Sequence, residues 1–313
     1  MARLILYRLL ISVALVFAIS LATFLLQAAA PGDIARTILG DHFSPEAYQR
    51  LHHELGLDDP ILLQYWHWLT QAIQGDLGTS PISGLPVAGE IANRLPVTAS
   101  LVICATIATA VGGVALGVLS AVRGGRVGRA VDVLSLIGYA LPSFWLALTM
   151  VTLFSVTVEL LPATGYVPLA TSPAGWARSL VLPVTTLALP GIALFAKQTR
   201  DAMLEALSRD FVTALRANGI PERSIVFRHA LRNASIPVVT LVGLTLVSLL
   251  SGTVFVEAVF AMPGLGGLAV QATSQHDIRM IQGVVVVFTL VVVTVNLVVD
   301  LAYGWLNPKV RAR

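Results

Sequence analysis

Charge is the first thing this sequence lacks. Only 12% of its 313 residues are Asp, Glu, Lys or Arg, 56% are hydrophobic, and the mean hydropathy is +0.82. That balance excludes an ordinary water-soluble domain. With 17 acids against 20 bases the net charge is +3, so there is no electrostatic footprint for nucleic acid. Cysteine is almost absent: Cys104 stands alone in an apolar run, which excludes an intrachain disulfide or a Cys-based metal site and reads as a small buried hydrophobe. Lysine occurs only at Lys197 and Lys309, and no GxxxxGK[ST] phosphate loop is present, so the chain has no ATP-hydrolysing loop of its own. No carboxylate or Cys cluster at ligand spacing surrounds His229 or His276, leaving a membrane-bound enzyme without a site. An ion-coupled secondary transporter needs ionisable residues near the bilayer midplane, and the apolar runs offer only peripheral Glu257 and Asp300.

What the sequence has is length in its apolar runs. A bilayer core of about 30 Å takes roughly 20 helical residues. Six runs qualify, approximately Leu9–Leu26, Val97–Val122, Val133–Val158, Leu180–Ala196, Ile236–Phe260 and Met280–Leu306. The expected fold is therefore an all-α membrane protein of about six transmembrane helices. The first run also has features of a cleaved signal peptide, with Arg3 and Arg8 ahead of it and Ala28-Ala29-Ala30 behind. It is longer than the usual signal core, and its removal would leave an odd number of spans.

Lys and Arg collect on the cytoplasmic side of a membrane protein. With the N-terminus inside, the cytoplasmic segments hold Arg3, Arg8, Arg123, Arg126, Arg129, Lys197, Arg200, Arg209, Arg216, Arg223, Arg228, Arg232, Lys309, Arg311 and Arg313, fifteen of the 20 basic residues. The other side keeps Arg36, Arg50, Arg94, Arg178 and Arg279. Both termini are expected in the cytoplasm. The chain then divides into a first helix (1–30), an extracytoplasmic helical segment (31–95) and a five-helix core (96–313) with a cytoplasmic hairpin at 200–235.

Within the spans, Ala105, Thr109, Gly113, Gly117 and Ala121 recur every four residues, a stripe of small side chains that lets another helix approach closely. Proline interrupts the third span at Pro142-Ser143 and the fourth at Pro190-Gly191, features that serve either a pathway or packing alone. Asn296 and Asp300 share one face of the last span. An aspartate deep in a bilayer costs roughly 2.5–3.5 kcal/mol, so Asp300 and Glu257 are expected to face protein partners or water.

The outer segment carries two helix starts, Ser44-Pro45-Glu46 before Gly56 and Asp59-Pro60 before Gly75. The second helix, with Leu62, Leu63, Tyr65, Trp66, Trp68, Leu69 and Ile73, suits either the membrane interface or packing on the bundle. His42, His52, His53 and His67 lie close in sequence, but neighbouring His52 and His53 are expected on different helix faces, which argues against a metal site.

Between the fourth and fifth spans, Met203–Asn218 reads as a helix stopped by Gly219, and Pro221 opens a second helix running to about Asn233. Tethered at both ends to membrane spans, this hairpin suits docking to a cytoplasmic protein rather than to DNA. Thr213-Ala214-Leu215-Arg216-Ala217-Asn218-Gly219 resembles the EAA-x3-G loop of binding-protein-dependent ABC importer permeases, with Thr213 in place of Glu and Leu215 in place of Ala. His229-Ala230-Leu231-Arg232-Asn233-Ala234, Gly75-Asp76-Leu77-Gly78-Thr79-Ser80, Leu141-Pro142-Ser143-Phe144-Trp145, Leu187-Ala188-Leu189-Pro190, Met262-Pro263-Gly264-Leu265-Gly266 and Asn296-Leu297-Val298-Val299-Asp300 are similar to strings of the oligopeptide and dipeptide branch.

The resemblance implies a type I ABC importer permease fold in the bacterial cytoplasmic membrane. It further implies pairing with a second homologous permease, two ATPase subunits (or one fused), an extracytoplasmic substrate-binding protein and a peptide cargo, with ATP and Mg held by the ATPases. By the same resemblance Asp210, Thr213, Ala214, Leu215, Arg216, Ala217, Asn218, Gly219, Arg223, Arg228 and His229 form the coupling surface, Gly219 occupying a turn where a side chain would clash. Pro142, Ser143, Pro190, Gly191, Glu257, Asn296 and Asp300 are the pathway candidates. Permeases of this branch that carry nickel, glutathione, haem or another small solute are the alternative cargo reading.

Overall fold

The computed structural model describes residues 2–306, except the side chains of residues 1–6, 9, 139, 236, 300 and 302–306. The Asp300 side chain, and Lys309, Arg311 and Arg313, lie outside the described residues. Among the described residues, five helices are long and apolar enough to cross a membrane, or six if one bent pair forms a single broken span. The chain divides into two compact units, 1–96 with 263–294 and 97–262 with 295–313.

The first unit contains α1 (Ala2–Ala29), α2 (Ile34–Leu39), α3 (Pro45–Glu54), α4 (Ile61–Ile73), the start of α5 (Val87–Arg123), and, from the other end of the chain, α12 (Leu265–Ser274) and most of α13 (Ile278–Leu306). Ser44 caps α3 by accepting the Ala47 amide at 3.1 Å, with Pro45 in the first turn. Asp33 caps α2 and accepts the Tyr48 hydroxyl at 2.7 Å. On α4 the apolar residues split between two faces. Tyr65 and Trp68 are buried against Phe24 and Leu21 of α1, and the Tyr65 hydroxyl meets Ser20 Oγ at 2.8 Å. Leu62, Trp66 and Ile73 stay exposed, so packing takes one face and leaves the other to the surroundings. Gln282 ties α13 to α1 by donating to the Ser20 carbonyl at 3.1 Å. At the start of α13, Asp277 accepts the Met280 amide and the Ser80 hydroxyl.

His52 and His53 do not diverge as their adjacency suggests. Both lie in the last turn of α3, and their Nδ1 atoms reach opposite oxygens of the Asp58 carboxylate at 2.7 and 3.1 Å, because the chain turns back at Gly56 and brings Asp58 over the helix end. Among the described residues no group of His, Cys, Asp and Glu is arranged to hold a metal ion.

In the second unit α5 lies against α8 (Pro173–Leu207) along the stripe of small residues. A Cβ on Gly117 would stand 2.6 Å from the Ala196 carbonyl oxygen, and one on Gly113 would stand 3.1 Å from the Ile192 oxygen. Backbone meets backbone at both points, which only small residues allow. Pro183 and Pro190 sit inside α8 without ending it. Near Pro190, Thr109 of α5 donates to the Ala188 carbonyl at 3.4 Å.

The third apolar run is two helices, not one continuous span. α6 (Gly125–Ala140) and α7 (Ser143–Val151) meet at 99° across Leu141-Pro142. Leu141 is extended, ψ 126°, because the proline ring disfavours helical geometry in the residue before it. A π-helical turn, Thr152–Thr157, follows α7.

Candidate functional site

The hairpin between α8 and the next long helix differs in layout from the sequence reading. Met203 belongs to α8, which runs on to Leu207, and a separate helix, α9 (Asp210–Ala217), begins after Ser208 and Arg209. Arg209 is extended, with ψ 150°. Past the turn, Pro221 precedes α10 (Glu222–Ser224), a π-helical segment follows at Ile225–Ala230, and α11 (Leu231–Val259) continues from it. The second arm therefore runs into the membrane helix instead of stopping at Asn233.

α9 has two faces. Val212 is fully buried and Phe211 and Leu215 are half-buried, whereas Asp210, Thr213, Ala214, Arg216 and Ala217 are exposed. This is the 3.6-residue period of an amphipathic helix on a support, and the support is the π-helical segment, where Ile225 and Val226 are buried.

The end of α9 is closed in a Schellman arrangement. The Gly219 amide donates to the Arg216 carbonyl at 3.0 Å and the Ile220 amide to the Leu215 carbonyl at 3.1 Å. Gly219 has φ +73°, a conformation that L side chains resist. The expectation of a clash is corrected here: nothing lies within 4 Å of a Cβ built on Gly219. Backbone conformation, rather than crowding within the chain, calls for glycine.

Arg216 and Glu222 then clasp the hairpin across its turn. Nε donates to Oε2 at 3.1 Å and Nη2 to Oε1 at 2.6 Å, the bidentate fork that suits guanidinium and carboxylate. The hydrogen bond from Arg216 holds the Glu222 carboxyl below its usual range, and Glu222 raises Arg216 in turn. Arg223 and Arg228 are exposed and form no ion pair or hydrogen bond among the described residues; His229 is half-buried.

The pathway candidates are not gathered in one place. Gly191 abuts Thr109, where a Cβ would be 2.7 Å from Thr109 Cγ2. Glu257 is 1% exposed and accepts the Thr98 hydroxyl at 2.6 Å. Thr98 and Thr109 are about 16 Å apart along α5 at 1.5 Å per residue. Asn296 lies against Gly243, and Pro142 and Ser143 stand at the α6–α7 break.

One pair escaped sequence reading. Arg200 of α8 reaches Asp132 of α6 at 3.4 Å, beside Gly128, whose added Cβ would lie 3.3 Å from the guanidinium. No local spacing signals a partnership between helices so far apart in the chain.

Apolar helices long enough to cross a membrane, with an exposed, capped helix on a hairpin between two of them, define a multi-pass membrane protein. The chain belongs to the family of binding-protein-dependent transport system inner membrane components, which matches residues 113–312, with the N-terminal part of that component matching 1–102. It is thus a multi-pass permease of an ABC importer in the bacterial inner membrane. It is 41% identical over 312 residues, 99% of each chain, to a Brucella abortus protein that carries the name of a peptide transport system permease. It is 38% identical over 296 residues, 94% of each chain, to the glutathione transport system permease GsiC of Escherichia coli. Among solved structures, the inward-facing MetNI methionine ABC transporter matches with a TM-score of 0.58 at 19% identity, over 69% of this chain and 96% of that one, which establishes the fold.

Proposed function

We propose that this permease forms half of a translocation pathway for short peptides and that α9 is its coupling helix, seated on a partner ATPase. The observation that carries the reading is the exposed face of α9, Asp210, Thr213, Ala214, Arg216 and Ala217, on a helix held by its Gly219 cap and the Arg216–Glu222 clasp. A short helix that is fixed at its end yet bare on one side is suited to a groove in another protein. Leu215, by contrast, serves the support side.

The rest of the assembly follows from this placement: a second homologous permease, two ATPases that hold ATP and Mg, and an extracytoplasmic binding protein that delivers the cargo. Segment 31–95 lies outside and both termini inside. Closure of the ATPases on ATP shifts α9 and alternates access to the pathway, a two-state element biased by nucleotide. Pro142 and Ser143, at a break between helices, belong to the moving wall of that pathway. Gly191 and Glu257 serve helix contacts. Glutathione, itself a short peptide, is the second cargo reading, favoured by the likeness to GsiC.

Co-expression with the neighbouring ATPase and permease genes, followed by purification on a tag carried by this chain, tests the reading. ATPase is expected to co-purify with the wild type and to be lost with Gly219→Trp, while membrane levels of the variant stay normal. Retention of ATPase by Gly219→Trp would remove α9 from the coupling role.

A further inference from the structure

A groove of 810 Å³ runs between α5 and the hairpin's second arm. One wall is Ala110, Val111, Val114, Ala115, Val118, Leu119 and Val122, a single helix face of α5. The other is Val226, Phe227 and Leu231, and among the described residues the charged ones lining the groove are Glu222 and Arg223. Val118 and Val226 are buried at its floor, while Val111 and Phe227 are exposed at its rims.

We infer that this groove holds an acyl chain of an anionic phospholipid of the cytoplasmic leaflet, with the phosphate against Arg223 and Arg123. The inference rests on the cytoplasmic placement of the hairpin proposed above. Length supports it: from Ala110 to Val122 the wall runs about 18 Å at 1.5 Å per residue, close to one leaflet of a core about 30 Å thick. Charge supports it independently. Glu222 is neutralised by its two hydrogen bonds to Arg216, so the net charge at the mouth is that of Arg223, exposed and without a partner among the described residues. Arg123, also exposed, follows Val122 directly at the end of α5. An apolar slot lined at one end by the Arg223 guanidinium, with Arg123 the next residue beyond its α5 wall, matches the chemistry of an anionic lipid, tail and head together.

The full-length chain in nanodiscs, supplied with phosphatidylglycerol or phosphatidylcholine bearing a diazirine in the acyl chain, tests this by photolabelling and peptide mapping. Phosphatidylglycerol is expected to label 110–122 and 226–231 about fivefold more than phosphatidylcholine, with equal labelling at lipid-exposed Val13 of α1. Changing Arg123 and Arg223 together to Gln should bring the two lipids to parity, and Val118→Trp should clear the groove of both. Parity in the wild type, a preference that survives the double substitution, or a groove unlabelled by either lipid would overturn the proposal. ATPase co-purification is scored separately. Its absence overturns the coupling role of α9, while the labelling ratio alone judges the lipid site.

Discussion

At Arg216 and Glu222 a pair of hydrogen bonds closes the hairpin, and its dependence on acid can be worked out. The Glu222 carboxyl titrates below its ordinary 4.5 because Arg216 bonds its charged form. A depressed folded value means that the clasp is fully present above about pH 4.5 and is lost as pH falls through the lower folded value. Amide exchange in α9, corrected for intrinsic rate, should therefore rise on acidification below that point, and Glu222→Gln should abolish the step. A step that persists in Glu222→Gln would assign it to another group. Asp33 and Asp58 also titrate low; burial opposes this at Asp33, but the Tyr48 hydroxyl and the backbone amides outweigh it, and at Asp58 the two histidines lower the value. Both lie near α3, so a probe in α9 separates them from Glu222. Of these residues the sequence marks Gly219 as special, yet only the dihedral angle reveals why, since open space surrounds it.

Among the helices, the α5–α8 contact brings backbone against backbone. Gly117→Val would set a Cβ 2.6 Å from both the Ala196 carbonyl oxygen and Thr199 Cβ, with two methyl groups beyond it, and overpacking of this kind costs about 1–3 kcal/mol. A lower melting temperature in detergent is expected, whereas Gly267→Val on α12, where an added Cβ meets nothing within 4 Å, should not lower it, since valine is the better helix former of the two. Equal losses for the two would argue against a tight contact. This contact was legible in sequence, because a four-residue repeat of small side chains has few other uses in a membrane helix. So were the starts of α3 and α4, written in Ser44-Pro45 and Asp59-Pro60. The split between α8 and α9 was not. No glycine or proline occurs from Lys197 to Asn218, so local preference favours one unbroken helix, and the stop at Ser208 comes with the burial of Val212 on its support. Likewise Pro142 announces an extended Leu141, but not the 99° at which the chain resumes. The Asp132–Arg200 pair was hidden for a related reason, since ion pairs between distant helices leave no periodic trace.

For the chain as a whole, a single native cysteine makes topology measurable. In a Cys104→Ser background, Trp66→Cys, on the exposed face of α4, should react with an impermeant thiol reagent added outside intact spheroplasts. Ala217→Cys, on the exposed face of α9, should react only after permeabilisation. The reverse pattern would invert the proposed orientation and remove α9 from any cytoplasmic ATPase. The number of spans was legible in sequence, because the bilayer demands a long apolar run of every span alike, while the orientation read from the bias of basic residues is what this labelling tests.

The short link between α8 and α9 has a mechanical consequence. α8 is a rod of 35 residues, about 52 Å at 1.5 Å per residue, and only Ser208 and Arg209 separate it from α9. A loop of many residues would absorb a push as slack. Two residues leave almost no travel to take up, so if α9 is the coupling helix proposed above, a displacement there is expected to reach α8 undiminished and, through the close approach at Gly113 and Gly117, to be felt by α5.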